Sequence, residues 1–302
     1  MIKYLLWIAN TIWLLGGFMK KYRWMKVDTA SIMFSSLSSK KWGRTFRSAV
    51  ILKDDVNPEI FSLIKHLKTQ GIHFVVASGR HKCCIDRMFE PVKNDIFYIT
   101  SNGAYIGTYD KKMAVSAFTP EIYEQLYHDF DTEIQQPYYA ETIDTAYTIW
   151  PDPAFTQFMN ECYGYDMQPC HSMKNIQDSI IKLALYHPEH ISKIDQKWLN
   201  KWNKMCKSVI SGTHWIDFIP QNTNKGSSLS TLQEMLGITI HETLAFGDQV
   251  NDIEMLKQAY YSFAVENANP TVKNAARFTC DSCEQNGVIK TLKQLFTDHK
   301  EL

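Results

Sequence analysis

Two carboxylates and a carboxamide crowd into Gly247-Asp248-Gln249-Val250-Asn251-Asp252, directly after the apolar run of residues 244–246. On a loop between a strand and a helix, that spacing lets Asp248, Asn251 and Asp252 face one point. Hard oxygen donors converging on a strand tip suit Mg2+. A plainer reading has Asn251 or Asp252 capping a helix that begins at Ile253. Ser78-Gly79-Arg80 closes another apolar run, residues 72–77. A hydroxyl and successive backbone N–H groups at such a position can hold a phosphate oxygen. Asn224-Lys225-Gly226 precedes a helical stretch, so the Lys225 ammonium adds a point charge where a helix start already favours anions. Taken singly, Ser-Gly-Arg is an ordinary turn and Lys225 an ordinary solvated lysine. Together the three clusters describe a pocket for an anion and a metal ion.

The elements that must position these residues are legible from residue 57 onward. Asn57-Pro58 starts a helix whose apolar stripe is Ile60, Phe61, Ile64 and Leu67, and Gly71 stops it. Residues 72–77 then read as a strand buried on both faces. The pattern recurs: a helix over residues 227–236 ended by Gly237, a short strand at 243–246, a helix from Asn251, a strand at 262–265, and a helix from Asn269-Pro270 through Ala276. Strands alternating with helices imply a parallel sheet covered on both faces, with ligands beyond the carboxyl ends of the strands. Residues 116–218 differ, being rich in Tyr, Trp, His and Met. They carry strand patterns at 146–150 and 179–186 and helix patterns at Pro120–Asp129 and 153–162.

Composition narrows the function classes. The chain has 302 residues, 45% hydrophobic and 21% charged, with no formal net charge. That is globular, and it argues against a nucleic-acid grip driven by bulk charge. Seven scattered cysteines suit a reducing compartment better than a disulfide framework. Cys280-x-x-Cys283 has no second pair at zinc spacing and reads as structural. Residues 4–19 are largely apolar and are followed by Lys20-Lys21-Tyr22-Arg23, yet they are too short to span a bilayer as a helix and Asn10 interrupts them.

As a set, the motifs resemble the haloacid dehalogenase superfamily, specifically the Cof-like phosphatases with a type II cap. Phe74-Val75-Val76-Ala77-Ser78-Gly79-Arg80 resembles the second family motif, and Thr100-Ser101-Asn102-Gly103-Ala104 its Asn-Gly-Ala turn. Asp217-Phe218-Ile219-Pro220 with Asn224-Lys225-Gly226 is similar to the third, and Ala245-Phe246-Gly247-Asp248 through Leu256 to the fourth. The tail matches too, in Val265-Glu266-Asn267-Ala268, Val272 to Ala276, and Asn286-Gly287-Val288.

The resemblance implies a Rossmann-like α/β core with an inserted α+β cap. Residues 31–115 and 219–302 would form the core and 116–218 the cap, behind an atypical leader at 1–30. It also implies Mg2+-dependent hydrolysis of small, sugar-phosphate-like phosphomonoesters. Ser78, Gly79, Arg80, Asn102 and Lys225 would bind phosphate, with Lys225 also catalytic. Asp248, Asn251 and Asp252 would serve the metal.

The first family motif, Asp-x-Asp-Gly-Thr-Leu, is absent from residues 1–56. Spacing from Ser78 puts its place near Lys41, in Lys41-Trp42-Gly43-Arg44-Thr45-Phe46, where only Thr45 and the apolar Phe46 agree. Asp28 is a weaker alternative. Three explanations stand: a reading-frame change upstream of about Asp54, an inactive relative that binds a phosphorylated small molecule, or a different nucleophile. The expectation is a cytoplasmic enzyme acting on a small phosphorylated metabolite, without nucleic-acid partners. Anchoring through residues 4–19 is the rival, and the oligomeric state is open.

Overall fold

The structure, a computed structural model, describes residues 31–34, 56–150, 152–211 and 213–296. Five strands precede the insertion: β1 (Ser31–Phe34), β2 (His73–Ala77), β3 (Ile96–Thr100), β4 (Tyr105–Gly107) and β5 (Lys112–Val115). Six follow within it: β6 (Tyr138–Glu141), β7 (Ala146–Thr148), β8 (Met167–Pro169), β9 (Lys182–Tyr186), β10 (Cys206–Ile210) and β11 (Trp215–Pro220). The chain then returns through β12 (Thr243–Gly247), β13 (Tyr261–Val265) and β14 (Phe278–Cys280). The helices are α1 (Glu59–Thr69), α2 (Lys82–Met88), α3 (Pro120–Asp129), α4 (Pro153–Tyr163), α5 (Gln196–Trp202), α6 (Lys225–Leu236), α7 (Ile253–Lys257), α8 (Pro270–Ala275) and α9 (Gly287–Phe296).

The strands make two sheets. One runs β14-β13-β12-β1-β2-β3-β4-β5, parallel except at its β3-β4-β5 edge. The other runs β10-β11-β9-β6-β7-β8 and is largely antiparallel. The parallel strands read as near-continuous apolar runs because helices cover both faces. Phe74, Val75, Val76, Phe246, Phe263 and Val265 are all fully buried. The second sheet has its own aromatic core around Phe130, Tyr138, Trp198, Trp202 and Phe218.

Local chemistry sets the boundaries. The Glu59 N–H donates to Asn57 Oδ1 at 3.0 Å, closing the start of α1, and Ile60, Leu63, Ile64 and Leu67 bury its inner stripe. Leu63 takes the place expected of Phe61, which is half-buried and lies edge-on to Phe89. The first strand corrects the spacing argument. It is Ser31–Phe34, upstream of the Ser35-Ser36-Leu37-Ser38-Ser39 stretch that leads into Lys41. Ile32, Met33 and Phe34 are the apolar residues available there for a strand flanked on both sides, by β2 and β12. Lys41, Asp28 and residues 4–19 lie outside the described residues. Among the described residues, no helix is long and apolar enough to cross a membrane.

Candidate active site

The polar clusters gather at one edge of the parallel sheet because β2, β3 and β12 run the same way. Ser78-Gly79-Arg80 leaves β2, Ser101-Asn102-Gly103 leaves β3, and the turn from Asp248 to Asp252 leaves β12. β1 lies between β2 and β12, in register with both. The Ser78 N–H donates to the Ile99 carbonyl at 2.8 Å, and the Ser78 carbonyl accepts the Asn102 N–H at 3.0 Å. These bonds lock the first two loops together. Ser101 and Asn102 both take left-handed backbone angles, φ 51° and 56°, and Asn tolerates that region better than most side chains.

Gly103, at φ +103°, shows why a glycine ends the second loop. A Cβ there would stand 2.5 Å from the Asn224 carbonyl oxygen. This contact brings the start of α6 against the β3 loop, and Ser228 Oγ donates to the Gly103 carbonyl at 2.7 Å. Asn224 caps α6 reciprocally with Ser227, its Oδ1 accepting the Ser227 N–H at 2.9 Å. Lys225 therefore enters at the first turn of α6. Its ammonium is buried and sits 2.7 Å from Asp252 Oδ1. Gly226 lets α6 approach α7, since a Cβ there would meet the Glu254 backbone carbon at 2.4 Å.

Asp252 does not cap α7 with its side chain. Its carboxylate turns back: Oδ1 takes Lys225, and Oδ2 accepts the N–H groups of Asp248 and Gln249, each at 3.0 Å. Asp248 is different. Among the described residues its carboxylate receives one long hydrogen bond, from Gln249 Nε2 at 3.4 Å. Burial first, and the neighbouring Asp252 carboxylate second, push its pKa up to about 6 despite Lys225. A carboxylate held where its charge is poorly compensated suits a hard cation. Asn251 donates its Nδ2 to Asn102 Oδ1 at 2.9 Å, tying the β12 turn to the β3 loop.

Asn102 carries a second bond, from its Nδ2 to Asp217 Oδ2 at 2.6 Å. Asp217 lies on β11 of the second sheet, beside Lys182 on β9. The Lys182 ammonium contacts Glu141 Oε1 at 2.6 Å and Asp217 Oδ1 at 4.0 Å, and donates to the Gly79 carbonyl at 2.8 Å. Glu141 in turn accepts from Ser101 Oγ at 2.5 Å and Tyr165 Oη at 2.8 Å. All three charged groups are buried. Burial works against the Lys182 ammonium, but Asp217 and Glu141 outweigh it and its pKa is raised. Burial raises that of Asp217, with Lys182 opposing.

Sequence reasoning therefore named Ser78, Gly79, Asn102, Lys225, Asp248, Asn251 and Asp252, and the structure joins them in one hydrogen-bonded neighbourhood. Arg80 points elsewhere: its Nη1 reaches the Tyr163 carbonyl at 3.4 Å and Met88 Sδ at 3.9 Å. Glu141 and Lys182 were missed. The available signal was a lysine inside the apolar run Ile180-Ile181-Lys182-Leu183-Ala184-Leu185. Such a charge has to be paired when buried.

Comparison with known proteins finds a matching family model, curated relatives and solved structures. A family model described as haloacid dehalogenase-like hydrolase matches residues 52–292. Among curated proteins, the chain is 28% identical over 232 residues to a 5-amino-6-(5-phospho-D-ribitylamino)uracil phosphatase of Escherichia coli, covering 76% of this chain and 86% of that one. It is 26% identical over 226 residues to an HMP-PP phosphatase of Klebsiella pneumoniae, covering 71% and 79%. A solved structure from Eubacterium rectale superposes with TM-score 0.75 at 27% identity, covering 89% of this chain and 99% of that one. A haloacid dehalogenase-like hydrolase from Bacillus subtilis superposes with TM-score 0.73 at 19% identity, covering 89% and 100%, and shows the fold alone.

Proposed function

The chain belongs to the haloacid dehalogenase-like hydrolases, in their Cof-like phosphatase branch, and from that premise we propose that it hydrolyses small phosphomonoesters with Mg2+ held at Asp248. What carries the reading is the Asn251–Asn102 hydrogen bond together with the Lys225–Asp252 pair. These two contacts join a carboxylate poised for a cation, a buried ammonium and the Ser78 loop.

In this reading the ion supplies charge screening and orientation of the phosphoryl group. One carboxylate with the remaining positions taken by water and phosphate is an ordinary way to hold Mg2+. The residues divide the other tasks. Ser78 Oγ accepts the Arg80 N–H at 3.1 Å, which leaves the hydroxyl proton to donate to a phosphate oxygen. Lys225, fixed by Asp252, neutralises charge that builds on the phosphoryl oxygens during transfer. Asp252 acts through Lys225 and the turn backbone, as a positioning residue. Residues 116–218 serve as the cap that excludes water, buttressed on the core by Lys182 and Glu141.

The two curated relatives are named for phosphatases of small phosphorylated metabolites, and we carry that substrate class to this chain. None of the seven cysteines is in a disulfide, which goes with a reducing, cytoplasmic setting. The absence of Asp-x-Asp-Gly-Thr-Leu from residues 1–56 favours a second reading, a phosphate-binding protein without turnover. An assay of the full chain against a panel of phosphomonoesters, with Mg2+ and with chelator, separates them. Mg2+-dependent phosphate release that Asp248→Asn abolishes supports hydrolysis. Phosphate binding without release supports the second reading.

A further inference from the structure

Immediately after the Ser78 loop the chain places a thiol and an imidazole in contact. His81 Nδ1 lies 3.2 Å from Cys83 Sγ, and its Nε2 lies 3.1 Å from the Thr142 carbonyl oxygen. A carbonyl can only accept, so Nε2 carries a proton and the Nδ1 lone pair faces the thiol. The Cys83 N–H reaches the same nitrogen at 3.3 Å, so Nδ1 also caps the start of α2. A nucleophile, a base within hydrogen-bond reach, and a third group that orients the base are the three parts of an activated nucleophile. Cys84 Sγ stands 4.0 Å from Cys83 Sγ. His81 and Cys84 are buried, whereas Cys83 is half-exposed and faces the aromatic cluster of Tyr139, Phe158 and Tyr163.

We propose that Cys83, activated by His81, is a reactive thiolate and a site of covalent modification by small electrophiles, above all hydroperoxides. The proton of the Cys83 thiol moves to His81 Nδ1, leaving a thiolate beside an imidazolium. The thiolate attacks the terminal oxygen of the hydroperoxide. An S–O bond forms, the O–O bond breaks, and the leaving alkoxide takes the imidazolium proton to become an alcohol. Sulfur loses two electrons, the peroxide gains them, and Cys83 is left as a sulfenic acid.

The surroundings agree with this charge distribution. The hydrogen bond from Cys84, against burial and with help from His81, brings the Cys83 pKa down to about 5. His81 is shifted up: burial opposes its charge, but the Cys83 bond and the Glu141 carboxylate prevail. Burial drives the Cys84 thiol well up, opposed by Arg80, so Cys84 stays protonated and donates. The Tyr165 ring stacks on His81 at 6.4 Å, and the Asp166 backbone also favours the Cys83 thiolate. An added oxygen on Cys83 would intrude where α2 of the core meets the Tyr163 end of α4. Modification should therefore disturb the contact between the two sheets.

The test needs no turnover. The full chain is treated with iodoacetamide across pH 5–9, and each cysteine's rate is read by peptide mass spectrometry. Cys170, also half-exposed, is the internal reference. At pH 6, Cys83 should react about tenfold faster than Cys170, the lowered nucleophilicity of an acidic thiolate offsetting part of its larger ionised fraction. His81→Asn, with its fold checked by circular dichroism, should shift the Cys83 profile to higher pH, with the Cys84 hydrogen bond still holding part of the lowering. Stoichiometric hydroperoxide followed by dimedone should label Cys83 ahead of the other six thiols. A Cys83 rate that rises only in parallel with Cys170 would falsify the proposal. So would a profile unchanged by His81→Asn in a folded chain, or dimedone labelling that misses Cys83.

Discussion

The Lys182 ammonium donates a hydrogen bond to the carbonyl oxygen of Gly79, 103 residues earlier in the chain and in a loop that leaves the other sheet. Glu141 and Asp217 neutralise that ammonium, and Ser101 and Asn102 bond those two carboxylates in turn. The two loops that hold Ser78 and Asn102 are thus supported by three charges they do not themselves contain.

Lys182→Met should destabilise the chain by about 3–5 kcal/mol, because it leaves Glu141 and Asp217 buried without their cation. Urea denaturation followed by tryptophan fluorescence measures this. The triple variant Lys182→Met, Glu141→Gln, Asp217→Asn should recover most of the loss. A Lys182→Met chain as stable as the parent would mean the pairing has no energetic role.

The same variant carries a pH signature. Without the ammonium, the Asp217 carboxylate has its folded pKa raised further above its unfolded value. The native state then binds more protons than the unfolded one, so stability falls as pH rises through that window. In the parent chain burial already raises Asp217, with Lys182 opposing it. The gap between parent and Lys182→Met should therefore widen from pH 4 to pH 8. A gap constant across that range would contradict the electrostatic account.

Asp248 and Asp252 should respond differently to Mg2+ titration by calorimetry. Asp248→Asn removes the carboxylate proposed to hold the ion and should abolish measurable binding. Asp252→Asn removes a support held through Lys225 and two backbone N–H groups, and should weaken binding about 10–100-fold. Equal effects would mean that Asp252 is itself a ligand.

Two glycines with positive φ offer a comparison. Gly71 sits at φ +78° with nothing within 4 Å of an added Cβ, so Gly71→Ala should cost about 1 kcal/mol from backbone strain alone. Gly103→Ala adds a collision with the Asn224 carbonyl oxygen and should cost several-fold more. Thermal melts of the two variants read the difference. In Gly103→Ala, reactivity of the buried Lys225 towards an amine reagent should also increase, because α6 is pushed off the β3 loop.

Much of this was legible in the sequence because each feature depends on near neighbours. The α1 stripe, the apolar runs of β2 and β12, and the Asp248–Asp252 turn all follow from local periodicity. Two things were not local. The place of β1 was set by spacing from Ser78, and the apolar Ile32-Met33-Phe34 proved better suited to the strand than the serine-rich stretch downstream. The Lys182–Glu141–Asp217 group joins three strands of one sheet to two loops of the other. No window of sequence contains it, although a lysine amid aliphatic residues marks where to look. Whether Asp252 capped a helix or faced inward was also undecidable from spacing, since both arrangements use the same residues.

Because the ammonium that supports Gly79 is supplied from β9, the inserted sheet is not an interchangeable part. Transplanting the inserted sheet onto a different core would bring along a cation and two anions matched to carbonyl, hydroxyl and amide groups left behind. Chimeras built at that boundary would inherit a mismatch inside the protein rather than on its surface. The compatible exchange is one that moves the Gly79 and Ser101 loops together with the insertion.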